Sequence, residues 1–179
     1  MAMEINFTDL SEQGENAVEF EDCKPPEGCI HCIRASALAA ELTDDQLENL
    51  CSVVEVVRLP KGEVIISEGE YDDRLYAIAA GEVEIFRRHG PGKEVKLASI
   101  GPGDIVGELA FLEGLKRTAT VRAKGKSCVV TLRRETFENM IQKDPELVYK
   151  VMRNIMRSAH RTVEKLDISY SDFIRYVSG

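Results

Sequence analysis

Between Val56 and Leu132 the chain cannot run far in one direction before it must turn. Short β-prone runs, Val64-Ile65-Ile66, Leu75-Tyr76-Ala77-Ile78, Val83-Glu84-Ile85-Phe86, Val95-Lys96-Leu97-Ala98, Thr120-Val121 and Val129-Val130-Thr131-Leu132, alternate with Gly62, Gly69, Gly81, Gly90, Gly92, Gly101, Gly103 and Gly107. Glycine adopts the positive φ that tight turns demand, and it weakens any helix drawn through it. Short strands at this spacing build an antiparallel sheet that closes on itself or folds into two layers. The expected fold class is mainly β with flanking helices: an antiparallel β-roll of the jelly-roll kind.

The flanks read differently. From Ala35, Leu38, Leu42, Leu47, Leu50 and Val54 recur at helical spacing, and Thr43-Asp44-Asp45-Gln46 has the form of a capping box, so a fresh helix is expected to start at Asp44. After the β segment, Glu135 to Gln142 predicts a short helix. Asp144-Pro145 then places an N-cap before a proline at the first helical position. A long helix follows, with Val148, Met152, Ile155, Ala159, Thr162 and Leu166 at alternating spacings of four and three. That pattern is a seam for a second helix, and a homodimer through it is expected; the alternative is that the same face lies on the roll. Ile168 to Val177 has room for one more short helix. Residues 1–33 are expected to form an acidic tail, 34–167 the folded domain with its long helix, and 168–179 a short extension.

Charge narrows the range of partners. The net charge is −8, and the first fifty residues hold twelve acids against Lys24 and Arg34 alone. A chain without a basic stripe has little with which to neutralise phosphates along a duplex, so no nucleic acid partner is expected. The apolar runs, such as Leu75 to Ala80, are too short to span a bilayer, and Met1 to Leu10 lacks the basic and apolar segments of a signal peptide. A cytoplasmic protein with no membrane partner is the expectation. Three histidines stand with no nucleophile–base spacing around them, and no enzyme is expected.

The chemistry concentrates in Gly103 to Ala123. Gly107-Glu108-Leu109-Ala110 follows a strand and can open a helix whose first N–H groups are free to meet an anion. Ten residues after Gly107, Arg117 stands beside the small Thr118 and Ala119; a guanidinium brought back to those N–H groups makes charge-assisted bonds to a phosphate. A carboxylate at Glu108 makes sense beside an anion only as an acceptor for hydroxyls, such as those of a ribose. Phosphate and ribose together describe a nucleotide.

This stretch, G-E-L-A, a spacer, then R-T-A, resembles the phosphate-binding cassette of the cyclic nucleotide-binding domain family. The similarity extends through Lys61-Gly62, Glu68-Gly69, Ala80-Gly81-Glu82-Val83 and Gly101-Pro102-Gly103-Asp104, and downstream through Asp144-Pro145, over roughly residues 40–167. The resemblance implies that Arg117 pairs with a cyclic phosphate and Glu108 accepts the ribose 2′-hydroxyl. It implies that the N–H groups of Ala110 and Ala119 and the Thr118 hydroxyl bind phosphate oxygens. Leu97 and Ile85, expected to face inward, would pack near purine or ribose, and Thr162 would contact the base. The implied ligand is cAMP, with cGMP the other possibility. A surface ion pair between Glu108 and Arg117 is the plain alternative. The bacterial regulators of this superfamily continue into a helix-turn-helix domain. Nothing of that kind follows Leu166 here, so output is expected through an unknown downstream protein.

Cys23, Cys29 and Cys32 form a second group, with His31 adjacent. Thiolates so placed could share zinc or an iron–sulfur cluster, with Cys128 as a fourth ligand. The fumarate-nitrate regulators, a related branch, bind a cluster through such a set, but here the short and long spacings are reversed. A redox- or metal-sensing interaction protein is therefore the alternative reading. Cys51 and Cys128 sit in apolar patterns where cysteine is an ordinary small hydrophobe.

Overall fold

The structure, a computed structural model, describes residue 21 and residues 29–178, with side chains at 21 and over 30–163. It opens on helix α1 (Cys29–Ala35), a 3-10 turn (Ala37–Ala39) and helix α2 (Asp44–Cys51). Eight strands follow: β1 (Val54–Leu59), β2 (Val64–Ile66), β3 (Arg74–Ala80), β4 (Val83–Arg88), β5 (Glu94–Ile100), β6 (Ile105–Val106), β7 (Thr120–Ala123) and β8 (Ser127–Arg133). Helix α3 (Glu108–Glu113) interrupts them, and α4 (Arg134–Met140) and α5 (Pro145–Ser178) close the chain. The helix expected to begin at Ala35 instead ends there, and Val54 starts a strand. The expected separate helix past Ile168 is the continuation of α5. The Thr43 box forms as anticipated: Thr43 caps Gln46 N, and Gln46 Oε1 accepts from Thr43 N.

The strands make two antiparallel sheets of four, ordered β1-β8-β3-β6 and β2-β7-β4-β5. This is the expected β-roll. Its inner strands are buried on both faces, which is why β3 and β8 read as apolar runs rather than alternations. On one face Leu75, Ala77, Cys128, Val130 and Leu132 pack against the helices, with Ile33, Leu38, Leu50, Leu147, Val151 and Ile155. On the other, Tyr76, Ile78 and Val129 join Leu59, Ile66, Val83, Ile100 and Val121 inside the roll.

Helix α5 is built into this packing by polar bonds as well. Asn154 Nδ2 donates to the carbonyls of Leu38 and Ala40 at 3.2 and 2.8 Å, and Ser158 Oγ accepts from Ile105 N at 3.0 Å. Glu41, in the left-handed region at φ 66°, sits between Arg153 and Arg157 and pairs with both. Val148 and Ile155 are therefore core residues of their own domain, and the first half of the expected seam lies on the roll.

A different stripe faces outward. Tyr149, Met156 and Val163 are 63%, 59% and 56% exposed, while Met152 and Ala159 between them are half-buried. Their spacings alternate three and four, and in sequence the same register continues through Leu166, Tyr170, Phe173 and Val177.

One turn shows how tightly the sheets approach. Gly81, between β3 and β4, has φ +78°, and a Cβ there would stand 2.5 Å from the Lys126 carbonyl oxygen and 2.7 Å from Ser127 Cα. Gly92, at φ +70°, has open space around it. Gly81→Ala is expected to lower unfolding free energy by at least about 2 kcal/mol, from strain and overlap together. Gly92→Ala carries the backbone strain alone, about 1 kcal/mol. Urea denaturation measures both; equal losses would refute the close-approach argument.

Candidate functional site

The site forms where two loops zip together. Arg117 N donates to Glu70 O and Gly69 N to Arg117 O, both at 2.8 Å, and a bridge joins Tyr71 to Lys116. The loop before β3 is thereby laid against the segment entering β7, which carries Asp72 to Arg117. Strand β6 delivers the chain to Gly107 on the other side.

Gly107 is the N-cap of α3 in a left-handed conformation, φ 89° and ψ 13°, with no side chain to cap the helix. The first N–H groups of α3 therefore have no intrahelical partner. A Cβ on Gly107 would overlap Arg117 Nη1, so the glycine is required by the guanidinium as much as by the turn.

Arg117 is 3% exposed. Its Nη1 donates to Gly107 O at 2.7 Å, and its Nη2 to Asp72 Oδ2 at 2.8 Å and to Arg74 O. The Tyr76 ring lies beneath it, 5.8 Å from Cζ to centroid. Nε is buried with no acceptor. A buried cation must be paired, and Asp72 is the pair; Glu108 is not. The ion pair between Glu108 and Arg117 considered from sequence is absent here.

Asp72 and Tyr76 were not legible as site residues. Tyr76 Oη donates to Asp72 Oδ2 at 3.0 Å, orienting the carboxylate that holds Arg117. Burial, reinforced by the Asp72 carboxylate, pushes the Tyr76 phenol up to about 12. The nearest signal in the sequence is the run Tyr71-Asp72-Asp73 after Glu68-Gly69, which only the fold connects to the arginine.

The remaining expected residues divide. Glu108 is half-buried at the start of α3, Leu109 points to solvent, and Ala110 is buried. Thr118 is exposed and Ala119 half-buried. Ile85 packs against the roll interior. Leu97 corrects the expectation of inward packing. Ile85 pairs with Ala98 and Phe86 with Lys96, so Leu97 is the extra residue of a β-bulge, 51% exposed. The bulge breaks the alternation, and Ala98 takes the inward place. Thr162 lies one turn beyond Ser158, and its hydroxyl donates to Ser158 O at 3.2 Å, within the helix.

Among the described residues no group of three or more histidine, cysteine or acidic side chains could hold a metal ion. Cys23 and the Cys29 side chain lie outside the described residues. Cys32 and Cys128 do meet, sulfur to sulfur at 3.8 Å. No described helix is long and apolar enough to cross a membrane.

The cyclic nucleotide-binding domain model matches residues 56–144, from β1 through the cassette to the start of α5. The chain belongs to the cyclic nucleotide-binding domain family. A CRP-like cAMP-activated global transcriptional regulator of Mycobacterium tuberculosis is 31% identical over 146 residues, 81% of this chain and 61% of that protein. The crystal structure of the Thermus thermophilus catabolite activator protein is 28% identical with a TM-score of 0.63, over 77% of this chain and 63% of that one. The N-terminal domain of a Streptomyces coelicolor transcriptional regulator is 30% identical with a TM-score of 0.60, over 73% and 94%. The chain thus spans about three fifths of the curated regulators it matches.

The Tyr76–Asp72 bond predicts a delayed ionisation. Absorbance titration should show one of the five tyrosines ionising near pH 12. Because the folded value lies above the ordinary tyrosine value of 10.0, stability from neutral Tyr76 is complete below pH 10 and lost as pH rises through about 12. Tyr76→Phe should remove the late step; a wild-type titration complete by pH 11 contradicts the bond.

Proposed function

We propose that this protein is a cytoplasmic cyclic nucleotide sensor, binding cAMP in preference to cGMP, with no catalytic step of its own. The observation that carries the reading is Arg117: a buried guanidinium held at the cap of α3 by Gly107 O and Asp72, with Nε–H still lacking an acceptor. A cyclic phosphate supplies that acceptor. The free N–H groups opening α3, with the Ala119 N–H and Thr118 hydroxyl, hold its other oxygens, and Glu108 takes the ribose hydroxyl. Ile85 and Thr162 are the proposed base and sugar contacts, with Leu97 at the bulge as the exposed edge of that surface. The preference for cAMP draws on relatives named as cAMP-activated regulators. Thr118 is compatible with either base.

The sensor is a homodimer through α5, along a seam that keeps Met152 and Ala159 of the sequence expectation and takes Tyr149, Met156 and Val163 in place of Val148, Ile155 and Thr162. Tyr149, Met156 and Val163 face away from the roll, flanked by half-buried Met152 and Ala159, and together they repeat at the spacing that knobs-into-holes packing requires. Output passes to another protein, and the net charge of −8 disfavours duplex DNA as a direct partner. The alternative sensor of metal or redox state draws on the Cys32–Cys128 contact.

Arg117→Ala removes the cation at the phosphate and leaves Asp72 uncompensated; the expected loss is ~2–5 kcal/mol of binding, thirtyfold or more. Calorimetric titration with cAMP and cGMP measures it. Unchanged affinity in the variant overturns the site, and absence of binding in the wild type overturns the function.

Met156→Glu with Val163→Glu places like charges on the seam. Dimer affinity should fall by on the order of 100-fold, about 3 kcal/mol, while the fold is retained. Sedimentation equilibrium decides; an unaltered dimer excludes this face, and a monomeric wild type excludes the dimer.

A further inference from the structure

Cys32 and Cys128 are 96 residues apart in sequence and in contact in the fold, with sulfurs 3.8 Å apart. Both are thiols, and neither has exposed surface. The placement follows from the sheet. β8 presents Cys128, Val130 and Leu132 to the helical layer, and α1 lies across that face with Cys32 and Ile33 in the same apolar cluster. The metal reading of the sequence needs further ligands that the described residues do not assemble. Two thiols in contact are sufficient for a different chemistry.

We propose that Cys32 and Cys128 form an oxidative modification site, closed to a disulfide by a two-electron oxidant of the peroxide class. One thiolate attacks a peroxide oxygen; the O–O bond breaks, water leaves after protonation, and the sulfur becomes a sulfenic acid. The second thiolate attacks that sulfur, the S–S bond forms, and hydroxide leaves to take up a proton. Two thiols and one hydrogen peroxide give one disulfide and two waters. The sulfurs must close from 3.8 Å to about 2.05 Å, a movement on the scale of side-chain and small helix adjustments.

The bond would fasten the element that anchors the long helix. α1 runs through Ser36 into the 3-10 turn, whose Leu38 and the following Ala40 accept from Asn154 of α5. Glu41, next in the chain, is clasped by Arg153 and Arg157. Joining Cys32 to Cys128 ties this anchor covalently to the central strand of its sheet. Because both sulfurs are sealed, oxidation proceeds only when α1, a helix of seven residues, lifts from the sheet. The rate should therefore level off as peroxide concentration rises, whereas half-buried Cys51 should react in proportion to it.

The experiment treats the reduced full chain with hydrogen peroxide, quenches with N-ethylmaleimide, and maps unreduced peptides by mass spectrometry. The expected product is a linked pair of peptides carrying Cys32 and Cys128, reversed by dithiothreitol, absent in Cys32→Ala and Cys128→Ala, and retained in Cys51→Ala. The map of the wild-type chain is decisive even where a variant folds poorly. Cys32 and Cys128 still unlinked when Cys51 is fully oxidised would overturn the proposal, as would linkage of Cys32 to Cys23 or Cys29 in place of Cys128. No nucleotide enters the experiment, so its outcome is independent of the sensor reading.

Discussion

A guanidinium almost sealed from water must find acceptors, and the site is arranged around that requirement. Arg117 obtains a carboxylate from Asp72 and carbonyls from Gly107 and Arg74, three acceptors from two separate parts of the chain. Each constrains its own neighbourhood. Gly107 must lack a side chain to let the cation approach, Asp72 must be carried in by the loop zipped to Arg117, and Tyr76 must remain protonated to orient the carboxylate. These acceptors offset the cost of burying the charge. Under the proposed function a phosphate would meet a guanidinium already fixed in place by these partners.

The same economy of faces recurs at larger scale. β3 and β8 are apolar on both sides because one face closes the roll and the other carries the helices. α5 also has two apolar stripes, one consumed by the roll and one directed outward. Its connection to the site is short: Ser158 accepts from Ile105, two residues before Gly107, and Arg161 donates to Gly103 O at 2.8 Å. A change at the cassette reaches α5 through one strand and one turn. That continuity links the cassette to the outer surface of α5.

Much of this was legible in the residues. The glycine-punctuated runs located six of the eight strands, and the Thr43 box located the start of α2. Gly107, Glu108 and Arg117 stood out through the spacing G-E-L-A, spacer, R-T-A, which resembles the family's phosphate-binding cassette. The misreadings share a physical cause, the dependence of a local pattern on what packs beside it. Spacings of three and four fit Val148 and Ile155 as well as Tyr149 and Met156, and only the roll decides which stripe is inside. Leu97 followed strand alternation until a bulge broke it. Asp72 is 45 residues from Arg117, and Cys32 is 96 from Cys128; neither pairing has a local signature.

The central claim is that the unpaired Nε–H of Arg117 is the donor kept for a ligand phosphate. A buried Nε–H exchanges slowly with water, so its resonance is accessible in a 15N-labelled protein and assignable through Arg117→Lys. Titration with cAMP should move that resonance downfield and saturate at one nucleotide per chain, while adenosine, which lacks the phosphate, should leave it in place. A resonance that stays fixed while cAMP saturates the protein would contradict the account.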